Sequence, residues 1–257
     1  MPEFVEVEAY RRTARTLRGR RIDALRVHDP RLLRRGDEAA RVYGIVGGAT
    51  IERARRIGKV LLLDLSSDHS MALTFGLRGR LLVDRTLVGT HGRRRRITPD
   101  PRHVRLEAHA GGRTLELEDS LRMATLEIDF DEDRLGVDVL DLGKARLREL
   151  LGASGRPVKS LLMDQGKVAG IGNLVADEIL FQGRLDPRRP ADTVDDDELD
   201  VLWRGLRRTR RRARARGGSH RGVLPRGRDA RCPRCRVPVR RAKVGGRTTY
   251  FCPHHQR

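Results

Sequence analysis

LLMDQGKVAGIGNLVADEILF, residues 161 to 181, sets two apolar segments on either side of a glycine-rich turn, and its reading decides how the second half of the chain is built. Residues 158–165 before the turn and 173–182 after it have the apolar spacing of helices. Between them, Gly170-Ile171-Gly172-Asn173 lets the backbone approach a ligand closely and then begins a helix. The first N–H groups and the positive dipole end of such a helix suit a phosphate, to which Asn173 would add a side-chain donor. An ordinary glycine turn between packed helices is the plain alternative, and the surrounding sequence decides against it.

Downstream, residues 145–151 and 195–216 also read as helices, the second with Thr193 as N-cap, acids in its first turn and a stop at Gly217-Gly218. Upstream, from about 21 to 130, short apolar runs alternate with Gly, Asp and Pro: IDALRV, RVYGIV, KVLLLDL, SMALTFGL, GRLLV, HVRLEA, TLELED and ATLEIDF. Many short strands with turn signals predict a sandwich or barrel, with the arginine-rich segment 91–101 as a loop. Residues 1 to about 18 place Val5, Val7, Ala9, Tyr10, Ala14 and Leu17 at spacings compatible with a helix ending at Gly19. The acidic run 129–133 reads as a boundary. The expected organisation is α+β: a β-sandwich preceded by a helix over 1–130, a helical domain over 131–218, and a linker with a small hairpin turning at Gly245-Gly246 over 219–257.

The net charge of +20 is unevenly placed: from Arg204 onward there are nineteen Lys or Arg against a single acid, Asp229, so +18 of it lies in the last fifth of the chain. Arginine bias, with only five lysines among 55 basic residues, does not explain that clustering; a polyanion partner does. A membrane surface fits less well, because no amphipathic stretch sets bulky apolar residues against the charge. With no bilayer-length apolar run and no leader, a soluble cytosolic protein is expected. The aromatic content of 4% offers few stacking platforms, which disfavours a single-stranded RNA binder.

All three cysteines fall in two pairs, Cys232-x2-Cys235 and Cys252-x2-His255, separated by sixteen residues. Two such knuckles deliver four soft or borderline ligands to a structural zinc, one per chain. His254 could replace its neighbour His255, although spacing favours His255. So small a ribbon draws much of its folding free energy from the metal. At the other end, Met1-Pro2-Glu3 gains a free secondary amine beside a carboxylate if the methionine is trimmed, and a terminal proline nitrogen can form an iminium with a sugar C1'.

MPEFVEVE at the start, IGKVLLL at 57–63, the 161–181 stretch and the cysteine ribbon occur here in an order that closely resembles the Fpg/Nei family of bacterial DNA glycosylases, along the whole chain. The resemblance implies a helix-two-turn-helix motif around Gly172 and Asn173, a zinc finger, damaged double-stranded DNA as partner and a monomer. Activity as a bifunctional DNA glycosylase and AP lyase follows from it. Pro2 would attack C1', Glu3 would move protons as the sugar ring opens and the 2' proton leaves, and Glu6 would orient the groups around it. Strand cleavage would follow by β,δ-elimination. Glu8 reads as helix-stabilising. Lys59 would hold a phosphate near the lesion, Arg247 would grip the phosphate flanking the flipped nucleotide with its planar fork, and Lys159 matches a lysine near the lesion.

The chain departs from the pattern where side chains fill the gap left by a flipped base. Thr74-Phe75-Gly76-Leu77 stands in place of His-x-Gly-Met, and Asp119-Ser120-Leu121-Arg122-Met123 in place of Asp-Pro-Arg-Arg-Phe. Leu77, Leu121 and Met123 can wedge a base step but cannot hydrogen-bond the orphaned base, so discrimination of the opposite base should be weak. The interval from Gly218 to Cys232 is also short, which shifts the expected lesion from 8-oxoguanine toward oxidised pyrimidines, ring-opened purines, abasic sites or alkylated bases. A scaffold that reads damaged DNA without excising is the competing expectation.

Overall fold

The computed structural model describes residues 2–34, 37–88, 94–215 and 222–257. These fall into two compact units that divide after Glu132. In the first, helix α1 (Phe4–Ala14) leads to β1 (Ile22–Val27), α2 (Ala39–Val46), β2 (Ile51–Ile57), β3 (Val60–Leu65), β4 (Ser70–Thr74), β5 (Arg80–Val83), β6 (Thr86–Val88), β7 (Arg94–Arg96), β8 (Val104–Ala110), β9 (Arg113–Glu118) and β10 (Thr125–Ile128). The strands form two antiparallel sheets, ordered β1-β8-β9-β5-β6-β7 and β10-β4-β3-β2. Leu61, Leu63 and Leu65 alternate out of β3 into a core shared with Leu73, Leu81, Leu106 and Leu117, and each fully buried leucine contributes roughly 1.5–3 kcal/mol. Val7, Tyr10, Ala14 and Leu17, at helical spacing, join the same core, with the Tyr10 and Phe75 rings 4.7 Å apart. The expected sandwich behind an N-terminal helix is the fold found.

Two local expectations are corrected, and one strand carried no sequence signal. Residues 41–46, read as a strand, belong to α2, because Val42 and Val46 are one helical turn apart and both reach the core. Strand β2, IERARRI, carries no clean apolar alternation; Arg55 instead forks onto Asp64 at 2.7 and 2.8 Å and onto Glu132 at 2.8 and 3.0 Å. Ile51 and Ala54 still join the core, and charge pairing supplements that burial. Arg94–Arg96, expected in a loop, pairs with β6, while residues 91–93 of that segment lie outside the described residues.

The second unit holds β11 (Val137–Asp138), α3 (Lys144–Gly152), α4 (Val158–Leu162), β12 (Val168–Ala169), α5 (Asn173–Gly183), α6 (Asp196–Ala215), β13 (Arg240–Val244) and β14 (Arg247–Phe251). Helices α5 and α6 cross closely at glycines: a Cβ on Gly205 would lie 2.7 Å from the Gly183 nitrogen. Helix α4 ends three residues before the expected 165. Asp195, not Thr193, caps α6, accepting from the Glu198 N–H at 2.8 Å while Glu198 reaches back to the Asp195 N–H at 3.1 Å. The Thr193 hydroxyl is taken up by the Pro190 carbonyl. The stop at Gly217-Gly218 and part of the 218–232 interval lie outside the described residues. The helices and the terminal hairpin pack as one unit, with Phe181 of α5 in a cluster with Cys232, Val239 and Cys252.

Candidate nucleic-acid site and metal centre

In the first unit, α1 begins beside the proposed chemistry. Glu3, 1% exposed, is the N-cap residue, and its N–H donates to Glu6 Oε2 at 3.0 Å in a capping box, so both carboxylates are fixed one turn apart next to the half-buried Pro2. Val5 is buried and enters the helix without disturbing it. Burial would raise the Glu8 carboxyl, but Arg11, Arg56 and Arg12 outweigh it and hold it below the ordinary carboxylate range. Glu8 does more than stabilise its helix: Arg56 Nε lies 3.4 Å from it, and Arg56 Nη1 donates to the Gly58 carbonyl at 2.8 Å. Gly58, at φ +56°, and Lys59 form the two-residue turn between β2 and β3, so Arg56 ties the Lys59 turn to α1. Arginine at 56 gave no sequence signal beyond the bias of the whole chain.

Leu77, Leu121 and Met123 are 42%, 44% and 49% exposed, three of the four exposed large hydrophobic side chains among the described residues. They share one support. Gly76, at φ +50°, passes so close that a Cβ there would lie 2.5 Å from that of Met123, which locks the Leu77 turn against the 120–124 loop. The fully buried Asp119 carboxylate shapes that loop by accepting from Leu121 N–H at 3.0 Å, Met123 N–H at 2.6 Å and Ala124 N–H at 2.7 Å. Arg122 takes a left-handed conformation, φ +55°, with Nε 3.7 Å from Asp29 Oδ2. Thr74, where the family pattern has histidine, hydrogen-bonds Thr125 at 2.7 Å across the strands.

In the second unit, Gln165 staples the glycine-rich turn. Its Nε2 donates to the Met163 and Ile171 carbonyls at 2.7 and 2.9 Å, and its Oε1 accepts from Gly170 N–H at 3.0 Å. Gly172 is the N-cap residue of α5, and Asn173 Nδ2 donates to the Thr248 carbonyl of β14 at 3.0 Å. Arg247, exposed, opens β14 at the hairpin tip, and Gly245, at φ +54°, rests so closely on α4 that a Cβ would meet Ser160 Oγ at 2.5 Å. Lys159, expected beside a lesion, lies in the interior. Its fully buried Nζ is 2.7 Å from Asp177 Oδ1, 2.6 Å from Thr249 Oγ1 and 3.3 Å from the Thr248 carbonyl. Asp177 Oδ2 also receives Arg226 at 2.7 Å and the Tyr250 N–H at 3.1 Å. A side chain with no exposed surface cannot touch a duplex, so the expectation of direct DNA contact is corrected. Lys159 instead holds the hairpin strand that carries Arg247 and steadies Asn173.

The ligand atoms of Cys232, Cys235, Cys252 and His255 lie within 4.8 Å of one another. Cys232 Sγ to His255 Nδ1 is 3.4 Å, Cys235 Sγ to Cys252 Sγ 3.4 Å, and Cys235 Sγ to His255 Nδ1 4.0 Å. A tetrahedron with Zn–S about 2.3 Å and Zn–N about 2.0 Å has ligand edges of roughly 3.5–3.8 Å, so the cluster fits a structural zinc. His255 supplies the fourth ligand, and His254 is exposed. Phe181 braces the centre, its ring 4.8 Å from that of His255 at 72°.

Three family models match in sequence along the chain. The formamidopyrimidine-DNA glycosylase N-terminal domain matches residues 1–126, its H2TH domain 136–223, and the zinc finger found in FPG and IleRS 231–254. A formamidopyrimidine-DNA glycosylase of Thermus thermophilus is 33% identical over 98% of this chain and 97% of its own. The chain belongs to the formamidopyrimidine-DNA glycosylase family. A second formamidopyrimidine-DNA glycosylase, of Carboxydothermus hydrogenoformans, is 28% identical over the full length of both chains. The fold is that of Lactococcus lactis Fpg bound to N7-benzyl-Fapy-dG DNA, with a TM-score of 0.85 and 22% identity over the full length of both. A Lactococcus lactis Fpg complex with abasic-site DNA gives 0.84 over 99% of each chain.

Proposed function

We propose that this protein is a bifunctional DNA glycosylase and AP lyase of base excision repair, acting as a monomer on damaged double-stranded DNA in the cytoplasm, at the nucleoid. The observation that carries the reading is Pro2-Glu3 held at the start of α1 by the Glu3–Glu6 capping box, in a chain of this family. Once Met1 is removed, the Pro2 nitrogen attacks C1', the C1'–base bond breaks and the base leaves with a proton. Glu3 shuttles protons as the ring opens. The resulting iminium acidifies the 2' proton, whose loss expels the 3' phosphate, and a second elimination expels the 5' phosphate. Lys59 in the first unit, and Asn173 and Arg247 in the second, each hold a DNA phosphate. No helix among the described residues is long and apolar enough to cross a membrane.

The test is strand cleavage on duplexes carrying a ring-opened purine, an oxidised pyrimidine or an abasic site. Base release with a one-nucleotide gap is expected; tight binding with neither base release nor nicking would favour the non-excising reader. The wedge makes a further prediction. Leu77, Leu121 and Met123 offer no hydrogen bond to an orphaned base, so excision rates opposite the four bases should lie close together. Leu121→Arg should spread them by roughly fivefold or more, the lower end of the ~1–3 kcal/mol of a bidentate base contact. A strong opposite-base preference in the unaltered protein would show that another side chain reads that base.

A further inference from the structure

The C-terminal end of α5 carries a feature that the glycosylase reading does not use. Gln182, Arg184, Val201, Arg204, Gly205, Arg208 and Arg234 line a cavity of roughly 430 Å³, inside the ~300–1,000 Å³ range of small-ligand sites. Gln182 lies nine residues beyond Asn173, so along the helix the cavity is about 14 Å from the α5 N-terminus.

Four arginines meet here, and the acids nearest them, Glu178 and Asp200, act on Arg234 and Arg204 only at longer range. Among the described residues none of the four forms an ion pair, and the residues left undescribed include no Asp or Glu. The nearby carboxylates are committed elsewhere. Asp200, one turn before Arg204, pairs with Lys144, and Asp186 pairs with Arg188 at 2.6 Å. Glu178 Oε2 accepts the N–H groups of Val223 and Leu224 at 2.8 and 3.1 Å, while its Oε1 takes Gln182 Nε2 at 2.8 Å and lies 3.9 Å from Arg212.

That last bond orients the floor of the cavity. Gln182 is 7% exposed, and with its amide nitrogen held by Glu178 its Oε1 accepts from Arg234 Nη2 at 2.8 Å and Arg208 Nη1 at 3.3 Å. A neutral carbonyl therefore aligns two guanidinium groups without cancelling either charge. The C-terminal dipole of α5 accounts for some of this placement, since Arg234 Nη1 reaches the Phe181 carbonyl at 3.4 Å. A helix end presents only about half a negative charge, however, against four positive ones. Gly205 lets α6 lie close enough on α5 to bring Arg204 and Arg208 beside Gln182.

We propose that this cup is a second anion site, taking a ligand with at least two adjacent phosphates, which planar guanidinium forks bind in bidentate fashion. Two sources carry that chemistry: the phosphodiester backbone of DNA lying away from the lesion, and a free polyphosphate.

The experiment uses the full zinc-loaded chain and compares it with Arg204→Gln/Arg208→Gln and with Arg247→Gln as a control. Calorimetric titration with inorganic tripolyphosphate at physiological salt should show a saturable site that is weakened at least tenfold in the double variant and retained in the control. The salt dependence of binding to undamaged duplex then separates the sources. A log–log slope reduced by about two in the double variant, at about 0.9 per phosphate, assigns DNA backbone, whereas an unchanged slope assigns a free polyphosphate. Arg204→Lys/Arg208→Lys keeps the charge and loses the forks, so an intermediate affinity is expected, and it stands in should the Gln variant fold poorly. Equal tripolyphosphate affinity in the double variant and the unaltered protein, absence of binding to either, or loss in the Arg247 control alone would overturn the proposal.

Discussion

Protein carrying one extra residue ahead of Pro2 loses the adduct that borohydride traps on a duplex with a single abasic site, by on the order of a thousandfold or more, the scale of removing a nucleophile. The extension turns a secondary amine into a tertiary amide whose lone pair is delocalised into the carbonyl, so no iminium can form. Pro2→Gly restores a terminal amine and should keep part of the adduct, which separates loss of the nucleophile from damage to the entry into α1. The capping box survives both changes, because it is built from Glu3 and Glu6. An adduct undiminished by the extension would move the chemistry to the new terminal amine or to a lysine. Only five are present, and Lys159 among them is sealed in the interior.

What the sequence made legible divides by the range of the interactions involved. Features encoded within a few residues were readable: the Pro2-Glu3 start, the Gly170–Asn173 turn, the two metal knuckles around Gly245-Gly246, and strands such as β3 whose leucines alternate. Features that depend on partners far along the chain were not. Strand β2 looks like surface because only Ile51 and Ala54 reach the core, while Arg55 meets Asp64 and Glu132, the latter 77 residues away. Lys159 resembles a DNA-contacting lysine until Asp177 and Thr249 are brought around it. Asp119 and Gln165 were silent for the same reason, since an isolated acid or amide says nothing about which N–H groups it will collect. Candidate substrate contacts could thus be nominated from local pattern, while the residues that position them emerged only from the fold.

That distinction sets the second large effect. Asp177→Asn should destabilise the second unit by about 3–5 kcal/mol, the cost of leaving a buried charge without its partner. It strands Lys159, which has no exposed surface, and removes the ion-pair partner of the partly exposed Arg226. Lys159→Met should cost less, because Asp177 keeps Arg226 at 2.7 Å and the Tyr250 N–H at 3.1 Å while the methionine fills the lysine's volume. The order of the two costs is the informative quantity: a lysine serving as a direct DNA contact would give a Lys159→Met protein with ordinary stability and weak binding. If Lys159 acts by holding β14, Lys159→Met should loosen the Thr248 carbonyl that Asn173 also uses. Its loss of lesion-duplex affinity should then add little to that of Arg247→Gln in a double-mutant cycle, since both changes disable the same grip. Independent, additive losses together with an unchanged unfolding midpoint would return Lys159 to the DNA surface.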